Sequence, residues 1–115
     1  MLLDVVRAHL SAFNDRDADA VVATFADDAV FAAGEHIVVG HRALRAMFAD
    51  AFAAPIRAQL ELRHAVVDGQ TAACELSERL IIEGSTHELD MAAFYSVRDG
   101  LLTRVKVYRD LTDPQ

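Results

Sequence analysis

The sequence predicts an α+β fold, a sheet with helices on one face, and three observations predict it. Apolar residues recur at helical spacing through three segments of the first half of the chain. The second half alternates apolar and polar residues with the period of two that strands require. Its breaks, "DGQ", "EGS" and "RDG", are short, so the strands they join run antiparallel as a meander. Helices first and a meander after them are the pattern of the α+β class.

Helix one is predicted from Leu2 to Phe13, with Leu2, Val5, Val6, Leu10 and Phe13 turned inward. "NDRD" breaks the pattern, and Asp17 is placed to cap helix two, its carboxylate accepting an orphan amide proton. Ala18, Val21, Val22 and Phe25 form the buried stripe of that helix, "ADDA" stops it, and Val30-Phe31 begins a short strand. "GEH" turns, and Ile37 to Val39 returns as a second strand. Gly40 precedes helix three, about His41 to Ala53, with Leu44, Met47, Phe48 and Phe52 on its apolar face and Pro55 ending it. "AQLELRHAVV" places Leu60, Leu62, His64 and Val66 on one side of a strand. "ACELSERLII", "HELDMAAFYSV" and "LLTRVKVY" complete the meander.

Composition narrows the function. The 115 residues suit one compact domain, residues 1–115. At 53% hydrophobic the chain has material for a core, which Ala, Val and Leu must fill because no Trp is present. A net charge of −7 argues against nucleic acid, whose binding needs a basic face, and against anionic membranes. Cys74, the single cysteine, excludes an internal disulfide. Asp4 follows "MLL" at once and no long apolar run occurs, so the expectation is a soluble, cytoplasmic protein without a membrane partner. No Gly-rich phosphate loop, serine elbow or metal-ligand spacing is present, and no cofactor or metal is expected. His36 and His41 with Glu35 fit a solvated loop better than a metal site.

Three stretches, "FNDRDADAVVATFADDAVF", "VGHRALRAMFADAF" and "FYSVRDGLLTRVKVYRD", stand in an order and spacing that resembles the nuclear transport factor 2-like superfamily and, within it, the SnoaL-like group. The resemblance spans nearly the whole chain. It implies a strongly curved sheet wrapped over the helices as a cone, a small hydrophobic ligand at the open end and a homodimer through the outer sheet face. It does not name a reaction, because the fold carries isomerases, hydrolases, cyclases, dehydratases and non-catalytic adaptors.

The borrowed catalytic positions are largely empty of chemistry. The tyrosine of ketosteroid isomerases falls on His9, their general base on Ala33 and their second oxyanion donor on Ala93. The last-strand aspartate of limonene epoxide hydrolases and SnoaL-type cyclases falls on Val107 in an ungapped match, or on Asp110 if a gap is allowed. The ungapped match is preferred, since a strand insertion exchanges faces. The hydrolases' arginine matches Arg79, but its partner aspartate position is Ile81.

The polar groups that remain on inward faces are the catalytic candidates. Val5 and Phe13 turn His9 inward, either as a donor or base toward a ligand or as a core histidine bonded to a carbonyl. Glu78 shares its strand face with Cys74, Leu76 and Leu80, so it is either a desolvated acid/base of raised pKa or a mouth residue, solvated or paired with a cation. The ligand-binding set is Tyr95, His64 (at the wall or the rim), Met91, Phe48 and Phe52. Phe94 points to the opposite face of its strand from Tyr95, where it would favour a second copy of the chain. Two readings follow: a cofactor-independent acid/base enzyme on a small hydrophobic substrate, or a non-catalytic ligand-binding or dimerisation domain.

Overall fold

Residues 2–109 are described by a computed structural model of the chain. Three helices, α1 (Leu2–Asn14), α2 (Ala18–Ala23) and α3 (His41–Ala53), lie against a sheet of six strands. The strands are β1 (Phe25–Ala33), β2 (His36–Val39), β3 (Ile56–Asp68), β4 (Thr71–Ile82), β5 (Ser85–Arg98) and β6 (Leu101–Arg109), in the order β2-β1-β6-β5-β4-β3. Strands β3 to β6 form the antiparallel meander that the short turns require. Among the described residues the one parallel pairing joins β1 to β6.

The inward faces make one core. Val6 and Leu10 of α1, Val21 and Val22 of α2 and Leu44 and Phe48 of α3 are buried against Leu76, Ala93, Leu102 and Val105 of the sheet. Asp17 caps α2 as its side chain accepts from the Ala20 amide. Helix α3 ends at Ala53, and Ala54 is extended because Pro55 follows. Gly40, ahead of α3, takes φ 87° and ψ 161°, a conformation that essentially glycine alone tolerates, while its N–H bonds the Ala29 carbonyl. His41 Nε2 donates to the Phe25 carbonyl at 2.8 Å, tying the start of α3 to β1 rather than leaving a free loop. Asn14, the last residue of α1, pairs its side-chain amide with both backbone groups of Leu60, at 2.9 and 2.8 Å, on the open edge of β3.

Two expectations fail. Phe25 is not the last residue of the α2 stripe: α2 ends at Ala23, Thr24 caps it, and "FADDAV" is strand from Phe25 onward. The strand is held by β6, whose Leu102 N–H bonds the Thr24 carbonyl at 2.8 Å, and its register slips between Phe25 and Val30. The second failure concerns β3. Its register with β4 slips between Leu62 and His64, so Arg63 has no partner of its own. Leu60 and Leu62 face inward opposite Glu78 and Leu76, but beyond this bulge Ala65 takes the inward place opposite Cys74. His64 and Val66 therefore pass to the outer face, and both are exposed.

Candidate active site

A cavity of about 420 Å³ lies between the helices and the concave face of the sheet. Its wall is mostly apolar: Phe13 from α1, Met47 and Phe48 from α3, Phe31 from β1, Leu60 from β3, Leu80 from β4, Met91 from β5 and Val105 and Val107 from β6. Four polar side chains interrupt it: His9, Tyr95, Glu78 and Arg109. An adjoining outer chamber of about 820 Å³ shares Phe31, Ala33, Met47, Val107 and Arg109 with the cavity and adds Glu35 and His36 of the β1–β2 turn.

His9 sits one turn before Phe13 on the buried stripe of α1 and is 4% exposed. Its ring meets Phe25, Phe48 and Tyr95 edge to face, with centroids 5.3, 6.2 and 5.9 Å away. Nδ1 lies 3.2 Å from Thr24 Oγ1. Burial among these rings disfavours the imidazolium and pushes the pKa down to about 4, so the ring is neutral at physiological pH. Tyr95, 2% exposed on β5, has its phenol raised by burial and, less, by Cys74, so it keeps its proton. Among the described residues neither His9 Nε2 nor the Tyr95 hydroxyl has a hydrogen-bond partner. Neither is sealed inside the protein either, so both open onto the cavity.

Glu78 is 1% exposed on the inward face of β4, where its alternation with Cys74 and Leu76 puts it. Arg109 Nη2 donates to Oε2 at 3.1 Å, while Oε1 is buried with no hydrogen-bond partner among the described residues. Desolvation raises the Glu78 pKa, and the Arg109 charge offsets only part of that. The Arg109 side chain is 46% exposed, so the pair reaches from the interior to the rim.

The sequence-derived set is thus only partly brought together. His9, Glu78, Tyr95, Met91 and Phe48 line one cavity. Phe52 does not line it: its ring packs behind the wall on Phe13 and Phe48, with the Arg16 guanidinium over it at 5.8 Å. His64 lines a separate, shallow depression on the outer face with Val66, Phe94 and Tyr108, because the β3 bulge exchanged its side. Arg79 lies on the outer side of β4 and pairs with Glu88 at 3.6 Å, away from the cavity. Ala33 and Val107 do line the cavity, as walls without chemistry. Asp110 lies outside the described residues. Among the described residues, no three of His, Cys, Asp and Glu come together as metal ligands.

Sequence reading missed Arg109 and Thr24. Arg109 was within reach of it, because Val105 and Val107 face inward and the next inward place on β6 is 109. Thr24 was not, because its contact with His9 spans fifteen positions and depends on where α2 ends.

Comparison with known proteins places this arrangement. The SnoaL-like domain family matches residues 6–105. No curated protein matches the chain. The chain is similar in structure to an LEH-like epoxide hydrolase of M. tuberculosis, at 24% identity and a TM-score of 0.86 over 97% of this chain and 84% of that one. It is similar to SalBIII, an epoxide hydrolase/cyclase-like enzyme in pyran ring formation in polyether salinomycin, at 20% identity and 0.85 over 97% and 92%. It is also similar to an uncharacterized cystatin fold protein from Novosphingobium aromaticivorans, at 26% identity and 0.82 over 95% and 98%. A match through nearly all of α1 to β6, on a curved sheet that encloses a cavity against three helices, means that the chain belongs to the SnoaL-like family.

Proposed function

We propose that the protein binds a small, mostly apolar molecule in this cavity and moves a proton on it without a cofactor, as an isomerase, cyclase, dehydratase or hydrolase. His9 and Glu78 are the acid/base groups, one toward each end of the cavity and acting on a ligand that spans it, Tyr95 donates to a ligand oxygen, and Met91 and Phe48 hold the apolar body. The carrying observation is that a largely apolar cavity presents two polar atoms, His9 Nε2 and the Tyr95 hydroxyl, that have no hydrogen-bond partner among the described residues, while Glu78, bonded to Arg109 through Oε2, keeps a buried Oε1 without one. Polar groups buried only for stability are satisfied by the protein. Groups left open are those that a ligand or a reacting water completes. The pKa directions agree: burial holds Glu78 toward the neutral acid and His9 toward the neutral base. Epoxide hydrolysis and pyran ring formation, the activities named for two similar structures, each need one proton given and one taken.

A panel of small epoxides, ketones, lactones, alcohols and phenols tests this by thermal shift, since a ligand of the native state raises the melting point. A hit is then assayed for turnover. Glu78→Gln and His9→Gln are each expected to lower kcat by roughly a hundredfold or more while affinity changes little. A panel without a hit would overturn the reading. Binding without turnover would leave the non-catalytic alternative, which the loss of reacting groups at Ala33, Ala93 and Val107 supports.

The outer face of the sheet is assigned to a second copy of the chain. Val66, Phe94 and Tyr108 are 59%, 45% and 48% exposed there, and the two rings meet edge to face at 5.9 Å. Sedimentation at micromolar concentration is expected to give a dimer that Phe94→Glu dissociates. A monomeric native protein would remove the assignment.

A further inference from the structure

The hydrogen bonds around His9 determine which proton its ring carries. Thr24 Oγ1 lies 2.6 Å from the Val21 carbonyl, which can only accept, so the single hydroxyl proton goes there. At 3.2 Å from His9 Nδ1 the same oxygen is left as an acceptor, and Nδ1 must be the donor. A neutral imidazole protonated at Nδ1 has a bare lone pair at Nε2. Nε2 is the atom that opens onto the cavity, which Tyr95 also lines, with the two ring centroids 5.9 Å apart.

We propose that this deep end of the cavity is a hydroxyl-binding node, in which His9 Nε2 accepts and the Tyr95 hydroxyl donates, and that Thr24 is the positioning residue that fixes His9 in the accepting tautomer. The substrate class is then an alcohol or phenol with an apolar body. One hydroxyl group both donates and accepts, so a single ligand oxygen satisfies the two partners together. A ketone or ether oxygen satisfies Tyr95 and leaves Nε2 unpaired, and a hydrocarbon leaves both unpaired. The node is set apart from the Glu78–Arg109 pair. Tyr95 and Met91, the residue opposite Arg109, are four positions apart on β5, about 13 Å of strand. The apolar wall of the cavity, chiefly Phe31, Met47, Phe48 and, between the levels of Tyr95 and Arg109 on β6, Val107, takes the ligand's body. The inference rests on the cavity being a ligand site, as proposed above, and adds which group enters first.

α-Tetralol, α-tetralone and tetralin share one carbon frame and differ only in the oxygen, so titration calorimetry with the three decides the matter. The alcohol is expected to bind roughly tenfold tighter than the ketone and the hydrocarbon. In Thr24→Val the lock is gone, Nε2 is free to take the proton, and the preference shifts toward the ketone; Thr24→Ser restores the alcohol preference. Nitrogen-15 spectra of the histidine-labelled wild-type protein supply a readout that a merely structural threonine would not move. Nδ1 is expected in the protonated range and Nε2 in the bare range, and Thr24→Val is expected to abolish that pattern. A bare Nδ1 in the wild type overturns the inference whatever the affinities. Equal binding of all three compounds overturns it while leaving the cavity as a ligand site. Binding of none removes both. If Thr24→Val fails to fold, the wild-type spectrum and the order of the three affinities still decide.

Discussion

Replacing Arg109 by Met is expected to destabilise the fold by about 3 kcal/mol at neutral pH, or roughly 10 °C in Tm. The cost arises at the partner. The Glu78 side chain is 2% exposed and, among the described residues, Arg109 supplies its one hydrogen bond, so the variant leaves a buried carboxylate without its cation. Methionine keeps most of the stem that packs at the rim, so the loss is chiefly electrostatic. The pH dependence identifies the cause. Burial already raises the Glu78 pKa, and removing Arg109 takes away the opposing influence and raises it further. A group whose folded pKa lies above its unfolded value costs stability as pH rises from the unfolded value through the folded one. Wild type and variant should therefore converge as pH falls toward the unfolded Glu value of 4.5 and separate as it rises. Adding Glu78→Gln to the variant should recover most of the loss at neutral pH. Urea midpoints across the pH range measure all three. A variant as stable as wild type in mild alkali would mean that the ion pair does not hold the carboxylate.

His9 makes the opposite demand. Its pKa falls from 6.5 to about 4 on folding, so the unfolded chain takes up a proton that the native ring refuses. The stability tied to the neutral ring is fully present above 6.5 and declines as pH falls through the window down to about 4, by about 3 kcal/mol in all. His9→Gln has no such proton to gain. The difference in unfolding free energy between wild type and variant should change by that amount across the window. The carboxylates common to both proteins cancel in the comparison. Parallel curves would show that the imidazole titrates freely and is not enclosed by Phe25, Phe48 and Tyr95.

The inward set on β4 was legible because its alternation is unbroken: Cys74, Leu76 and Glu78 are buried in turn, and period two needs nothing more. His9 was legible for the same reason on a helix, with Val6, Leu10 and Phe13 around it on the stripe. His64 was not, because the bulge before it changes the face of every residue that follows, and "LELRHAVV" carries no Gly to mark the bulge. The end of α2 was hidden by a long-range partner. "FADDA" has weak strand preference of its own and becomes strand because β6, some seventy-five positions later, runs beside it. Cavity geometry is likewise a property of several strands at once. Alternation gives the side of the sheet on which Arg109 stands, but the bond to Glu78 joins β6 to β4 across β5.

The amide of Asn14 has a consequence for colloidal behaviour. Strand β3 is thirteen residues long at the rim of the sheet, a length of unpaired peptide groups that would otherwise template the addition of a foreign strand. A side-chain amide has the donor and acceptor of a peptide group, and at Leu60 it occupies the place of one. With the irregularity at Arg63 it divides the rim into short lengths, so replacing this asparagine is expected to make strand addition along that side easier.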